Sequence, residues 1–404
     1  MNSRAYAIVT ASYWGFTLTD GALRMLVLLH FHSTGMGAIQ LAFLFLLYEF
    51  CGILTNLLGG WWASRRGLKR TLTSGLLLQV VSLVALSFVN LTWLPWMVIA
   101  YIMATQALSG IAKDLTKMSA KSAVKVLVPK NQSAEKQERG LLKWVALLTG
   151  SKNALKGVGF FLGGLLLTLA GFQGALWIMA GCLALIFLIS VFGVTADLGQ
   201  AKKKLKFTQL FAKSSAINRL SAARLFLFAA RDVWFVVGLP VFLKAQLDWS
   251  FDQVGGFMAL WVIGYGMVQA SAPKWIKNAD PAGASKSAFR WVFILTLLAV
   301  TIATLVQLEQ FVLMTIIAGL LLYGVVFAMN SAIHSYLILA FTEDDDVATN
   351  VGFYYMANAG GRLLGTLSSG ISYYYGGLAA CLWVSAVMLI IASTLTSKMS
   401  KIHI

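Results

Sequence analysis

Eight cations and four acids stand inside long apolar runs of this chain. The cations are Arg24, Lys113, Lys117, Lys152, Lys156, Arg224, Arg231 and Arg362; the acids are Asp20, Glu49, Asp114 and Asp232. A charge near the centre of a bilayer costs about 2.5–3.5 kcal/mol on insertion scales, so such residues should face a cavity or each other. Pairing every acid with one cation leaves cations over. The simplest use of that surplus is to bind a small anionic substrate.

Spacing supports this reading. Lys113 and Lys117 are i,i+4 and share a helix face, as do Lys152 and Lys156. Arg224 and Arg231 are seven apart, again on one face, and Arg24 and Arg362 come from two further runs. Arginine binds phosphate-like oxyanions through a planar fork, whereas lysine acts as a compact point charge. Two basic clusters, one in each half of the chain, suit a ligand with two oxyanion ends. Asn153, Asn358, Asn330, Gln106 and Tyr265 can add neutral hydrogen bonds in such a cavity or join helix to helix.

Plainer roles compete at several positions. Asp20 and Arg24 are i,i+4 and can neutralise one another. Lys113, Asp114 and Lys117 can form a gate or a structural network. Lys121, Arg219 and Lys244 lie near the ends of apolar runs, where they can snorkel to the interface. Asp20, Glu49, Asp232 and His334 are the candidates for carrying a proton, since carboxylates and imidazole can titrate usefully there.

Other chemistries lack their residues. Cys51, Cys182 and Cys381 are far apart and only four His occur, so neither a metal site nor a disulfide framework is expected. No nucleophile–base pair suggests an enzyme. No G-x-x-x-x-G-K-[ST] loop is present, so any uphill transport needs an ion gradient rather than nucleotide. No cofactor is implied.

The elements that must position these charges are membrane helices. Of the 404 residues, 59% are hydrophobic and only 12% charged, against about 25% charged in soluble domains. A span needs about 20 mostly apolar residues. Twelve can be read, near 5–31, 37–62, 71–90, 94–120, 141–170, 172–195, 217–244, 252–272, 289–307, 311–341, 350–375 and 377–397. The expected fold is therefore all-α and polytopic, in two six-helix bundles. These are 1–195 and 217–404, joined by a Lys-rich cytoplasmic linker at 196–216.

Orientation follows from Lys and Arg in alternate loops. Basic residues follow the second, fourth, sixth and eighth spans. The intervening turns, near Gly35, Leu91, Phe172, Trp249, Glu309 and Gly376, are short and essentially free of them. Both termini should face the cytoplasm. The net charge of +17 is read as this topological bias, not as nucleic-acid binding. One loop, Glu343 to Asp346, is acidic and reads as a solvated turn. The N-terminus, interrupted by Asp20 and Arg24, reads as a first span rather than a cleaved signal. Weak repetition links Asn153-Ala154-Leu155-Lys156 to Asn358-Ala359-Gly360-Gly361-Arg362, each followed by glycines, and Asp20 to Asp232. Parallel repeats fit that pattern.

The segment Gly60-Trp61-Trp62-Ala63-Ser64-Arg65-Arg66-Gly67-Leu68-Lys69-Arg70 resembles the signature loop of the major facilitator superfamily, with Ser64 where that loop has Asp. Gly159-Phe160-Phe161-Leu162-Gly163-Gly164 resembles the superfamily's antiporter motif, with Phe160 in place of its proline. The stretches YWGFTLTDGALRMLVLLHFH, ALSGIAKDLTKMSAKS, KWVALLTGSKNALKGVGFFLGG and SAARLFLFAARDVWFVVGLPVFL resemble the ArsJ family of organoarsenical efflux permeases. That resemblance implies export of 1-arseno-3-phosphoglycerate across a bacterial inner membrane, and so arsenate resistance. It also implies a functional link to glyceraldehyde-3-phosphate dehydrogenase, which makes the ester. A monomer driven by a proton gradient is expected. An organophosphate:phosphate exchanger and a multidrug/proton antiporter of the same fold are the alternatives. A membrane enzyme or a receptor is a more distant one.

Overall fold

The computed structural model describes residues 3–66, 68–127, 134–194, 214–272, 281–341 and 347–399. Every regular element among these residues is helical: α1 Ser3–Ser33, α2 Ala38–Leu44, α3 Leu46–Arg66, α4 Leu68–Ser87, α5 Pro95–Leu127, α6 Ala134–Gly193, α7 Ser215–Phe235, α8 Gly238–Ala245, α9 Phe251–Ser271, α10 Pro281–Gln307, α11 Val312–Met314, a π-helical turn Thr315–Gly319, α12 Leu320–Ala340 and α13 Val347–Met399. Lipid offers no hydrogen bonds to a backbone, which is why helices suit a chain this apolar. Side-chain hydroxyls follow the same rule: Thr17 donates to Tyr13 O at 2.7 Å and Thr116 to Ala112 O at 2.8 Å.

Nine helical stretches among the described residues are long and apolar enough to cross a membrane. Two of them are hairpins. In α6 the helical path breaks at Gly171, with φ 67°, and in α13 at Gly376 and Gly377, the latter with φ 60°. Glycine takes such angles without the Cβ penalty. The neighbours of α1 show the reversal in α6. Gly159 packs on Leu18 and Gly163 on Ala22, and Phe172 stacks on His30; on the return arm Ile186 meets Gly15 and Gly193 meets Ile8. The second half repeats this, with Gly361 on Leu225 and Gly365 on Ala229 before the turn. After it, Arg219 reaches the Lys398 carbonyl. α1 adds the remaining span; Asp20 and Arg24 interrupt its apolar run. The all-α, polytopic fold expected from the sequence is what the described helices form.

The expected turns all lie where chains reverse, at Gly35, Asn90–Trp93, Gly171, Asp248, Glu309 and Gly376–Gly377. Four details differ from the expectation. The second span is broken at Phe45, the seventh at Val236–Val237, and the tenth contains the π-helical turn. α10 also begins at Pro281 rather than near 289; proline is well suited to a first helical position. The linker at 196–216 lies mostly outside the described residues, as do the acidic run 343–346 and the side chains of the 60–68 loop.

Small residues bring the two halves together. A Cβ on Gly157 would lie 2.8 Å from the Ala259 carbonyl, and one on Gly370 would lie 2.6 Å from the Ala38 carbonyl. Without a hydrophobic drive between helices in lipid, such close backbone approach supplies the packing. Gly164 against Phe251 and Gly370 against Ala38 lie toward the end of the bundle carrying the α1–α2 turn. The cavity between the halves lies toward the opposite end, where α1 begins.

Candidate functional site

A cavity of about 210 Å³ lies between the halves and is lined from α1, α3, α5, α6, α7, α9, α12 and α13. All eight cations singled out in the sequence line it: Arg24, Lys113, Lys117, Lys152, Lys156, Arg224, Arg231 and Arg362. Asn153 and Asn358 line it too, as do the acids Asp20, Asp114 and Asp232. Glu49 stands behind the wall, fully buried. Eight cations thus share one cavity wall with three carboxylates, and a fourth, Glu49, lies behind it.

The centre is a chain of charges spanning both halves. Arg24 Nη2 donates to Glu49 Oε1 at 2.5 Å, and Arg362 Nη2 donates to the same oxygen at 2.6 Å. Arg362 Nε lies 3.6 Å from Asp232 Oδ2. Arg231 Nε donates to Asp232 Oδ1 at 2.6 Å. Asp20 accepts from the Tyr48 hydroxyl. The helical neighbours Asp20 and Arg24 therefore do not satisfy one another; each finds its partner on α3. The Arg24 guanidinium also lies over Phe45 and Tyr48, at 5.1 and 4.9 Å from their ring centres.

Arg224 is held differently, by neutral acceptors alone. Its Nε donates to Asn358 Oδ1 at 2.9 Å; its Nη1 donates to the Ser331 carbonyl at 3.1 Å and hydroxyl at 3.0 Å. Phe228 and Tyr354 lie 4.0 and 5.1 Å from its guanidinium carbon. Tyr265 and Gln269 approach the same Ser331 hydroxyl at 3.2 and 3.4 Å. The fork is fixed by packing and hydrogen bonds while its charge meets no carboxylate in the described residues. This is the kind of supported arginine that recognises an oxyanion.

The first half supplies lysines. Lys117 Nζ is 3.2 Å from Asp114 Oδ1 and 3.0 Å from Asn56 Oδ1; Lys113 Nζ is 3.8 Å from Asp114 Oδ2 and 4.1 Å from the Tyr48 ring centre. Lys156 makes no ion pair among the described residues and lies 5.7 Å from the Phe160 ring centre. Asn153 donates to Gln269 Oε1 at 3.1 Å, linking α6 to α9.

Other singled-out residues lie elsewhere. His334 is 1% exposed, does not line the cavity, and neither ring nitrogen has a hydrogen-bond partner among the described residues. Asn330, one turn earlier, is buried with both side-chain polar atoms likewise unpartnered, and Gln106 is buried away from the cavity. Lys244 pairs with Asp248 at 3.5 Å near the end of α8. No cluster of three His, Cys, Asp or Glu among the described residues could hold a metal. The sequence reading passed over Tyr48, Asn56, Gln269 and Ser331. Asn56 and Gln269, amides within apolar runs, carried the stronger signal; a serine or a tyrosine there is unremarkable by type.

The sequence matches the profile described as Major Facilitator Superfamily over residues 6–282. The chain belongs to the major facilitator superfamily. Membership makes it a polytopic membrane protein of a transporter family. No curated protein sequence matches it. Solved structures agree on the superfamily fold. A bacterial homologue of the iron transporter ferroportin, in an inward-facing state, is 16% identical with a TM-score of 0.71 over 100% of both chains. A D-xylose–proton symporter is 12% identical with a TM-score of 0.72, over 98% of this chain and 97% of that one. The human organic anion transporter MFSD10 (TETRAN) is 17% identical with a TM-score of 0.66, over 98% and 99%. At these identities the likeness is one of fold alone. The superfamily loop around Ser64 lies outside the described side chains.

Proposed function

We propose that this superfamily member is a secondary exporter of a small organic oxyanion with two charged ends, and that its cargo is 1-arseno-3-phosphoglycerate. The observation that carries the anionic part is the convergence of eight cations on one cavity, with Arg224 meeting only neutral acceptors among the described residues. The particular ester comes from the resemblance to organoarsenical efflux permeases. Arginines Arg224, Arg231 and Arg362 take one oxyanion through forked hydrogen bonds. Lysines Lys113, Lys117, Lys152 and Lys156 take the other as point charges, with Arg24 between and Asn153 and Asn358 orienting the ligand.

Alternating access rocks the two halves about this site. A proton gradient drives it, with Asp20, Glu49, Asp232 and His334 as the groups available to carry the proton. The protein acts as a monomer in a bacterial inner membrane with both termini cytoplasmic. The glyceraldehyde-3-phosphate dehydrogenase that forms the ester feeds it.

Uptake into inverted vesicles tests the reading. The arseno-ester is generated in situ with the dehydrogenase, and arsenic accumulation is followed with and without a proton gradient. Gradient-dependent accumulation is expected. Accumulation only in exchange for inorganic phosphate would identify an organophosphate:phosphate exchanger instead. Transport surviving the combined Arg224→Gln, Arg231→Gln and Arg362→Gln changes would overturn the site assignment.

A further inference from the structure

We infer that Glu49 is a resident anion of the cargo site: its carboxylate occupies Arg24 and Arg362, and the cargo's oxyanion must take its place. The inference rests on the anion-transport reading above. It adds the device that sets how much negative charge a cargo must carry.

Three observations lead to it. Glu49 is fully buried and does not line the cavity, whereas Arg24 and Arg362 do. Both guanidinium groups converge on one oxygen, Oε1, while Oε2 has no hydrogen-bond partner among the described residues. Among the described residues Arg362 Nε also lacks a hydrogen-bond partner, and it lies 3.6 Å from Asp232 Oδ2. Each guanidinium carries five N–H donors, so two cavity-facing forks keep donor capacity that a single carboxylate oxygen does not use.

A competing ligand meets Glu49 on unequal terms. Glu49 is tethered to α3, so its effective concentration at the two arginines is high. A free monoanionic carboxylate matches its charge and lacks the tether. A dianionic phosphate or arsenate brings more charge and three acceptor oxygens, enough to serve both forks at once. The site therefore discriminates by charge at these two arginines, without a steric filter. Arg24 and Glu49 belong to the first half and Arg362 to the second. Displacing Glu49 also undoes an ion pair between the halves, so loading and release of the halves share one event.

The test uses two probes with one carbon skeleton, 3-phosphoglycerate and glycerate. Their affinities are measured by titration calorimetry on the full chain purified in detergent, as wild type, Glu49→Gln and Glu49→Asp. Wild type is expected to prefer 3-phosphoglycerate strongly. In Glu49→Gln the ratio of the two affinities is expected to fall at least tenfold, mainly because glycerate binds more tightly. Glu49→Asp keeps the charge with a shorter reach and is expected to fall between them. If Glu49→Gln does not fold, the Asp variant decides by the same ratio. A ratio unchanged within twofold, or weaker binding of both probes in the variants, overturns the role of Glu49 while leaving the cargo reading in place. A wild-type protein that binds neither probe overturns both.

Discussion

Arg362 and Glu49 are 313 positions apart and meet at 2.6 Å, joining α13 of the second half to α3 of the first. Removing one member of a buried pair leaves an uncompensated charge, which typically costs about 3–5 kcal/mol. Here Glu49 keeps Arg24 at 2.5 Å, so the cost of Arg362→Gln should be smaller, about 1–3 kcal/mol. Thermal unfolding in detergent should show a lowered Tm, and vesicle transport should be lost. An unchanged Tm would mean that the pair contributes little to holding the halves together.

Arg224 tests whether the fork matters beyond its charge. Its partners are neutral, Asn358 and Ser331, and its face lies against Phe228. Arg224→Lys keeps the cation and loses the planar two-point geometry. Affinity for 3-phosphoglycerate should fall at least tenfold, about 1.4 kcal/mol, with little change in Tm. Equal affinity in the Lys variant would reduce Arg224 to a point charge.

Much of this site is legible in the sequence. The eight cations were conspicuous because a charge in an apolar run needs a reason, and all eight meet in one cavity. The hairpin turns were legible from glycines and breaks in hydropathy. Pairing was not. Asp20 and Arg24 have the spacing of a helical ion pair, yet tertiary neighbours Tyr48 and Glu49 claim them. Nor was facing legible: in a helix apolar all round, amphipathic period vanishes, so nothing in the sequence tells that His334 turns away from the cavity while Ser335 lines it. The break at Phe45 carries no proline or glycine to announce it.

The lysines separate binding from stability. Lys156 has no carboxylate within ion-pair distance among the described residues, whereas Lys117 pairs with Asp114 at 3.2 Å. Lys156→Met removes a buried charge without breaking an ion pair, so Tm should hold or rise while anion affinity falls. Lys117→Met weakens the pairing of a buried carboxylate, so Tm should fall, by about 1–3 kcal/mol in stability. Calorimetric binding and thermal unfolding of the two variants side by side check the contrast. Equal loss of stability in both would show that Lys156 has a structural partner of its own.

The helix contacts predict a steric effect independent of charge. Gly361 packs directly on the Leu225 carbonyl, and a Cβ on Gly159 would lie 2.5 Å from the Leu18 carbonyl. In each half this places a glycine of one helix against the backbone of the half's first helix, α6 on α1 and α13 on α7. A Cβ so close to backbone cannot be relieved by a rotamer change, so helix must move from helix. Overpacking of this kind costs typically about 1–3 kcal/mol. Gly361→Ala should therefore lower Tm although Arg362 and every cavity residue are retained. Because the displaced helix carries Asn358 and Arg362, 3-phosphoglycerate should also bind more weakly. Gly360→Ala is the control: its nearest neighbour is a side-chain carbon of Leu225 at 3.6 Å, an ordinary contact, so both Tm and affinity should stay near wild type. A Gly361→Ala protein as stable as the Gly360→Ala one would show that α7 and α13 can separate at no cost, and that close approach does not fix the arginines' positions.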